Sequence, residues 1–193
     1  MCKHHALILS LFLTVTASVV CAQPAAYTRQ DTLRGTITPE RAWWNVLRYD
    51  LSFAPDFNSQ SIAGQQVITF EAVDTGRVMQ IDLRAPMVLE AAISDGEELD
   101  MEQDGNAWFV TLPKQIAPGA TARLALSFSG TPREAVNPPW DGGWIWTRDR
   151  KGRPWMSVSC QGLGASSWFP CKDHQSDEPD LGASIVITVP DTL

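Results

Sequence analysis

Apolar and polar side chains alternate with a period of two along this chain, and this pattern constrains the fold more than any other feature of the sequence. Between residues 45 and 53, one face carries Leu47, Tyr49, Leu51 and Phe53, and polar side chains occupy the other face. This alternation predicts a half-buried β-strand. Short apolar or alternating runs rich in β-forming residues recur at 61–73, 78–83, 88–93, 107–112 and 122–128.

Residue pairs typical of tight turns separate these runs, namely Asp95-Gly96, Asp104-Gly105 and Pro118-Gly119. Glycine in such pairs supplies a positive φ at little cost. No window of helical length carries a sustained apolar stripe with a helical period. The sequence therefore predicts an all-β fold, an antiparallel β-sandwich or saddle in which two sheets pack face to face.

The C-terminal third has a second β region. Residues 144–147 and 155–160 are predicted to form a hairpin closed by the turn at 149–152, and residues 184–190 form one more strand. The stretch between them, 161–180, is dense in Gly, Ser, Pro and acidic residues and is predicted to be irregular. The chain stops three residues after the last strand, so the domain is expected to be incomplete at this end.

The N-terminus is predicted to be a secretory signal peptide covering residues 1–22. Lys3 is followed by an uncharged apolar stretch and by Val20-Cys21-Ala22, which has small residues at the expected cleavage offsets. A lipid anchor on Cys21 is the alternative. The expected location is therefore secreted or periplasmic. Residues 23–40 are then a polar lead-in with little core of its own, and residues 41–193 form the β domain.

Removal of the signal peptide leaves one histidine, His174, and two cysteines, Cys160 and Cys171. An oxidising compartment allows a disulfide between these cysteines, but two free thiols fit equally well. Catalytic zinc normally needs three protein ligands, often histidines, and the chain has no His-Glu-x-x-His motif. No zinc site of that kind is therefore expected, and no catalytic residue is assigned. The acidic balance, 22 Asp and Glu against 15 Lys and Arg, also argues against a nucleic-acid partner.

Three other clusters have both a functional and a structural interpretation. The acidic run at 172–180 would suit an oxygen-rich Ca²⁺ site or a turn whose carboxylates cap backbone N–H groups and pair with nearby arginines. Ser166 stands in a partial nucleophile-elbow motif that has Trp168 in place of the second glycine, and His174 would be its sole candidate base. The remaining cluster consists of tryptophans that would form either a sugar-binding platform or a packed face: Trp140, Trp144, Trp146 and Trp155.

The segment that begins at Ser159 resembles a known protein family. The run SCQGLGASSWFPCKDH at 159–174, DEPD at 177–180 and the Val-Pro pair at 189–190 look like the end of the N-terminal domain of M1 zinc aminopeptidases, the aminopeptidase N family. Upstream, the strand around residues 49–51 and the strand at 64–70 are similar to the opening hairpin of that domain. The resemblance spans roughly 41–193, but only 159–190 is specific, and it favours a bacterial subgroup.

The resemblance implies a saddle-shaped β domain that forms one wall of the peptide site of a separate zinc-bearing catalytic domain. In the family, the position matched by Gln161 contacts the amino end of the peptide substrate. Ser159, two residues earlier, is predicted to share its strand face and line the same pocket. An amide oxygen suits this role because it accepts a hydrogen bond from an ammonium group without adding a full charge.

The sequence departs from the family in two respects. Residues 172–176 lengthen the turn before DEPD, and the Gly-x-Met-Glu-Asn and His-Glu-x-x-His motifs are absent. The resemblance therefore implies the non-catalytic N-terminal β domain of a secreted M1-type aminopeptidase, as a truncated product or a natural fragment, with zinc held by the missing catalytic domain. The alternative is an exported β-sandwich module that binds a glycan or a protein partner without enzymatic activity.

Overall fold

The computed structural model describes residues 26–191. The predicted signal peptide at 1–22 and the alternative lipid site at Cys21 lie outside the described residues. Within them, two short helices, α1 (Arg29–Gly35) and α2 (Pro39–Ala42), precede eleven strands. The strands are β1 (Trp44–Asp56), β2 (Ser61–Ala72), β3 (Gly76–Asp82), β4 (Val88–Ser94), β5 (Glu97–Glu98), β6 (Asp100–Asp104), β7 (Ala107–Ile116), β8 (Thr121–Gly130), β9 (Gly143–Arg148), β10 (Pro154–Ser159) and β11 (Ala183–Ile187).

The strands form three sheets. The largest has six strands in the order β11-β1-β2-β8-β4-β5, the second has three in the order β3-β7-β6, and β9 and β10 form a hairpin. The six-stranded and three-stranded sheets contribute their inward side chains to one buried cluster, which includes Ile68 and Phe70 from β2, Leu126 from β8, Ile81 from β3 and Val110 from β7. The predicted all-β sandwich is confirmed.

One strand pair departs from the predicted antiparallel pattern. β11 pairs with β1 in parallel, with Tyr49 opposite Ala183 and Phe53 opposite Ile187. The irregular stretch between β10 and β11 returns the chain to the start of β1, because Leu181 N–H donates to the Leu47 carbonyl at 2.7 Å. A long connection of this kind is what a parallel pair requires.

The lead-in is more structured than the sequence predicts. A capping box begins α1, in which Thr28 and Asp31 each accept from the other's backbone N–H. Leu33 in this helix is buried, and so is Arg41 in α2. The carbonyl of Leu33, which lies within the predicted lead-in, accepts from the side chains of Arg41 and Gln80, so α1 is held by contacts with the β domain. No helix within residues 26–191 has the length and apolar content needed to span a membrane.

Candidate functional site

The segment with the specific resemblance begins as a tight turn after β10. Ser159 ends the strand opposite Gly143 and is half-buried, whereas Gln161 lies in the turn and is exposed. The Cys160 carbonyl accepts N–H groups from Leu163 at 3.1 Å and Gly164 at 3.0 Å. Because β10 ends at Ser159, the alternation of a strand does not relate Ser159 to Gln161, and the same-face argument does not apply.

Two neighbouring groups fix the shape of this turn. Gly164 has a φ of +81°, and a Cβ at this position would overlap the Asp173 carboxylate, so the close approach requires glycine. On the other side, Arg34 Nη2 of α1 donates to the carbonyls of Gly162 at 2.7 Å and Leu163 at 3.0 Å. The turn therefore presents the exposed Gln161 side chain from a backbone held by α1 and by Asp173.

Asp173 ties the next part of the segment together. Ser166 lies in a 3₁₀-helix (Ala165–Ser167), is buried, and donates from Oγ to Asp173 Oδ2 at 2.5 Å. Its hydroxyl is therefore bound to the Asp173 carboxylate and not to the imidazole of His174. The imidazole Nδ1 of His174 instead pairs with Ser176 Oγ at 2.7 Å. The structure does not bring Ser166 and His174 together as a nucleophile and its base.

A buried polar network anchors the segment to β3 and to the lead-in. Arg41 Nη2 lies 2.6 Å from Asp82 Oδ2, and Asp82 also accepts N–H groups from Asp173 and from the Gln80 amide, each at 2.9 Å. Gln80 donates in turn to the Leu33 carbonyl at 3.0 Å. Burial raises the pKa of Asp82, and the Arg41 guanidinium opposes this shift. The network joins α1, α2, β3 and the Cys171–Asp173 stretch.

The carboxylates of the acidic run act mainly as internal partners. Asp177 accepts from Lys172 Nζ at 2.5 Å and from the Val46 N–H at 3.2 Å, and Asp180 accepts from Asn45 Nδ2 at 2.7 Å. These contacts support the interpretation of the run as a turn with backbone-capping carboxylates. The cation that pairs with Asp177 is Lys172 and not an arginine. Among residues 26–191, no group of three or more His, Cys, Asp or Glu side chains is arranged to hold a metal ion.

The tryptophans pack together more than they form a platform. Trp144 is 4% exposed and stacks on Trp146 with ring centroids 5.0 Å apart, and Trp168 packs edge-on against Trp144 at 5.8 Å. Trp140 and Trp155 are exposed. Because Trp144 is buried, Trp140, Trp144, Trp146 and Trp155 do not form a single exposed platform.

A cleft of about 720 Å³ opens beside the turn. Its lining includes Cys160 and Gly162, the two neighbours of Gln161, together with Arg34 and His174. Gln161 and Ser159 are not part of the lining. The role of Arg34 in shaping this cleft could not be read from the sequence, because 128 residues separate Arg34 from Gly162 and nothing local marks the pair.

Cys160 and Cys171, the two cysteines within residues 26–191, are free in the structure. Cys171 is buried, and burial raises the pKa of its thiol well above the usual value, with Asp173 and Asp82 adding to the shift. Burial and Asp173 also raise the pKa of the half-buried Cys160. Both sulfurs are therefore held as thiols near neutral pH and are weak nucleophiles. The disulfide between them stays a prediction.

The difference in burial predicts how the cysteines react. In a chain that starts at Gln23, native-state alkylation with iodoacetamide at pH 8 is expected to modify Cys160 at least about tenfold faster than Cys171, because only Cys160 reaches solvent. Peptide mapping of the labelled sites measures the two rates, and a Cys160→Ser variant should lack the fast site. Equal rates would contradict the described burial, and labelling that requires prior reduction would support the disulfide.

Solved structures of M1 zinc metallopeptidases share this fold. The chain is 28% identical to a variant of the enzyme from Deinococcus radiodurans bound to a Tyr-Ser-Ala substrate, with a TM-score of 0.62 over 78% of this chain and 34% of the other. A further structure of the M1 zinc metallopeptidase from that organism gives 25% identity and a TM-score of 0.59, again over 78% of this chain and 33% of the other.

Leukotriene A4 hydrolase from Saccharomyces cerevisiae is similar in fold, with a TM-score of 0.59, 17% identity, and coverage of 76% of this chain and 23% of the hydrolase. No protein-family model matches the chain, and no curated protein matches it either. The chain thus has the fold of a β region found in M1 zinc metallopeptidases. It spans about a third of the length of the Deinococcus enzyme.

Proposed function

We propose that this chain is the non-catalytic N-terminal β domain of a secreted M1-type zinc aminopeptidase, and that it forms one wall of a site for peptide N-termini. The observation that carries the proposal is the likeness to the Deinococcus radiodurans enzyme, which combines 28% identity with a TM-score of 0.62 over 78% of this chain. The signal peptide predicted at residues 1–22 supports a secreted or periplasmic location for this enzyme.

In this proposal the reaction is divided between two parts of an enzyme. Zinc in a catalytic domain would polarise the scissile carbonyl and activate water. The β domain would contribute shape and hydrogen-bond acceptors. A fixed backbone around an exposed amide supports a binding role, because a side chain presented from a rigid turn loses less freedom when it binds. Arg34 and Asp173 supply that rigidity at the Gln161 turn.

Gln161 is proposed to accept a hydrogen bond from the substrate ammonium group. The test uses a chimaera in which residues 26–191 replace the matched third of the Deinococcus radiodurans enzyme. In this chimaera, Gln161→Ala should lower kcat/KM for aminoacyl substrates by about 10- to 100-fold, since hydrogen bonds to charged groups contribute about 1.5–3 kcal/mol. Steady-state kinetics measures this loss.

Two further variants serve as a control and a comparison for Gln161→Ala. Gln65→Ala removes an exposed amide from β2 and should leave the kinetics unchanged. Ser159→Ala should produce a smaller loss than Gln161→Ala, because Ser159 is half-buried at the end of β10. If Gln161→Ala were as active as Gln65→Ala, the substrate-binding role of Gln161 would be wrong.

A further inference from the structure

An apolar groove separates the β9–β10 hairpin from β11. It has a volume of about 750 Å³. Aromatic side chains at its base include Phe53, Trp144 and Trp168, which contact one another edge-on. Its other apolar lining residues come from both sides: Pro55, Pro154, Trp155, Met156, Val158, Ile185, Ile187 and Val189. The groove is therefore an extension of the aromatic part of the core that opens to solvent.

The side chains around this groove are far more exposed than apolar residues in a core. Trp155 is 56% exposed, Ile185 58% and Ile187 54%, and Val158 and Val189 are also exposed. Single exposed apolar residues are ordinary, but a contiguous apolar surface of this kind marks a binding surface. Covering this surface removes apolar area from water and so stabilises the occupied state.

The lining shows how an occupant would bind. Five consecutive residues of β10, from Pro154 to Val158, line the groove. Side chains alternate between the two faces of a strand, so a consecutive run can line a groove only along the strand edge. From β11, the lining residues are Ile185 and Ile187, which are two apart and so belong to one face, and Val189 lines the groove just beyond the end of this strand. The groove thus lies beside the edge of β10 and over a face of β11.

The edge of β10 along this groove is open in the described part of the chain. The sheet formed by β9 and β10 has only these two strands. The outer side of β9 is already paired, because Trp144 N–H donates to the Arg133 carbonyl and Ala135 N–H donates to the Trp144 carbonyl, both at 2.8 Å. A two-stranded hairpin is marginally stable by itself, and an open apolar edge is a template for a further strand.

The charges of the groove specify a neutral occupant. Its charged lining residues are Asp149 and Arg153, whose carboxylate and guanidinium groups lie 2.7 Å apart. This pairing leaves no net charge to attract an acidic or basic segment. An apolar peptide in extended conformation satisfies both the open edge of β10 and the apolar face of β11.

We propose that a β-strand from the remainder of an M1-type polypeptide occupies this groove, where it pairs with the edge of β10 and packs against Ile185 and Ile187. The inference rests on the proposed function, because the occupant is taken from the two-thirds of the Deinococcus enzyme that this chain does not match. The residues after β11 also lie along the groove, since Val189 is in the lining and Thr188 N–H donates to the Phe53 carbonyl at 2.9 Å.

The test uses overlapping synthetic peptides that span the unmatched part of the Deinococcus radiodurans sequence. One peptide is expected to shift the fluorescence of the chain to the blue, because it covers Trp155. The same peptide should slow amide hydrogen exchange in β10 (Pro154–Ser159). N-methylation of alternate peptide nitrogens should weaken its binding at least about tenfold, because strand pairing needs those donors.

Matched variants locate the binding. Ile187→Glu places a charge in the groove and should weaken peptide binding at least about tenfold. Val73→Glu is the control, since Val73 is 56% exposed and lies outside the groove. Neither side chain is buried, so both variants are expected to fold, which circular dichroism checks.

Three outcomes would overturn the inference: no peptide binds, Ile187→Glu binds as well as Val73→Glu, or N-methylation has no effect. A dimer of the chain that Ile187→Glu dissociates would assign the groove to a second copy, and would also overturn it. These outcomes can be distinguished from a failure of the aminopeptidase proposal. Turnover by the chimaera without peptide binding would refute the groove inference alone, whereas peptide binding with a folded but inactive chimaera would refute the proposed function alone.

Discussion

The free energy of unfolding of Arg41→Met is expected to be about 3–5 kcal/mol lower than that of the parent chain, because the substitution leaves Asp82 buried without its cationic partner. The Arg41 side chain is fully buried, and its guanidinium also donates to the carbonyls of Leu33 at 2.7 Å and Thr36 at 2.8 Å. Methionine keeps much of the volume but supplies none of these donors. Urea denaturation followed by tryptophan fluorescence measures the loss.

A second ion pair provides the control for this substitution. Arg48 and Asp50 form an exposed pair at 2.8 Å, with side chains 37% and 38% exposed. Arg48→Met should therefore change the free energy of unfolding by only about 0–1 kcal/mol. In Arg41→Met, native-state hydrogen exchange should also accelerate in α1, because the carbonyls at its end lose their donor. Equal effects of the two substitutions would show that Arg41 is not a buried anchor.

The variant Lys172→Met is expected to lower the free energy of unfolding by about 3–5 kcal/mol as well, because it leaves the buried Asp177 carboxylate without its cationic partner. Lys172 Nζ donates to Asp177 and to the Trp44 carbonyl, both at 2.5 Å, and lies 4.7 Å from the centre of the Trp44 ring. Burial lowers the pKa of Lys172, and Asp177 opposes this shift. Thermal and urea unfolding report the change.

The double variant Lys172→Met/Asp177→Asn separates the lost charge pair from lost packing. Asparagine retains an acceptor for the Val46 N–H but carries no charge to desolvate. The double variant should be more stable than Lys172→Met by at least about 1 kcal/mol, since the unpaired charge dominates the cost. A double variant less stable than the single one would contradict this interpretation.

Local sequence patterns predicted most of the strands because their causes are local. The alternation around Leu47 and Leu51 and the turn at Asp95-Gly96 correspond to β1 and to the β4–β5 turn. β5 and β6 were not predicted, since both are short and polar and obtain their pairing from neighbours. The parallel pairing of β11 was also not predicted, because register between distant strands leaves no local signal.

The candidate site was predictable only in part, for the same reason. The resemblance pointed to the segment that contains Gln161, and the structure places this side chain in an exposed turn. The groups that hold the turn, Arg34 and Asp173, were not identified, because the first belongs to a segment expected to have little core. Nor does the sequence show that the edge of β10 lies along a groove, because the other side of the groove comes from β11, which is distant in the sequence.

The most direct test of the proposed division of labour compares two proteins in one assay. The purified chain from Gln23 onward and the chimaera with the Deinococcus catalytic part are each supplied with zinc and aminoacyl substrates. The chimaera is predicted to release N-terminal amino acids in a zinc-dependent reaction, and the chain alone is predicted to release none. Zinc-dependent turnover by the chain alone, or a folded and zinc-loaded chimaera without turnover, would contradict the account.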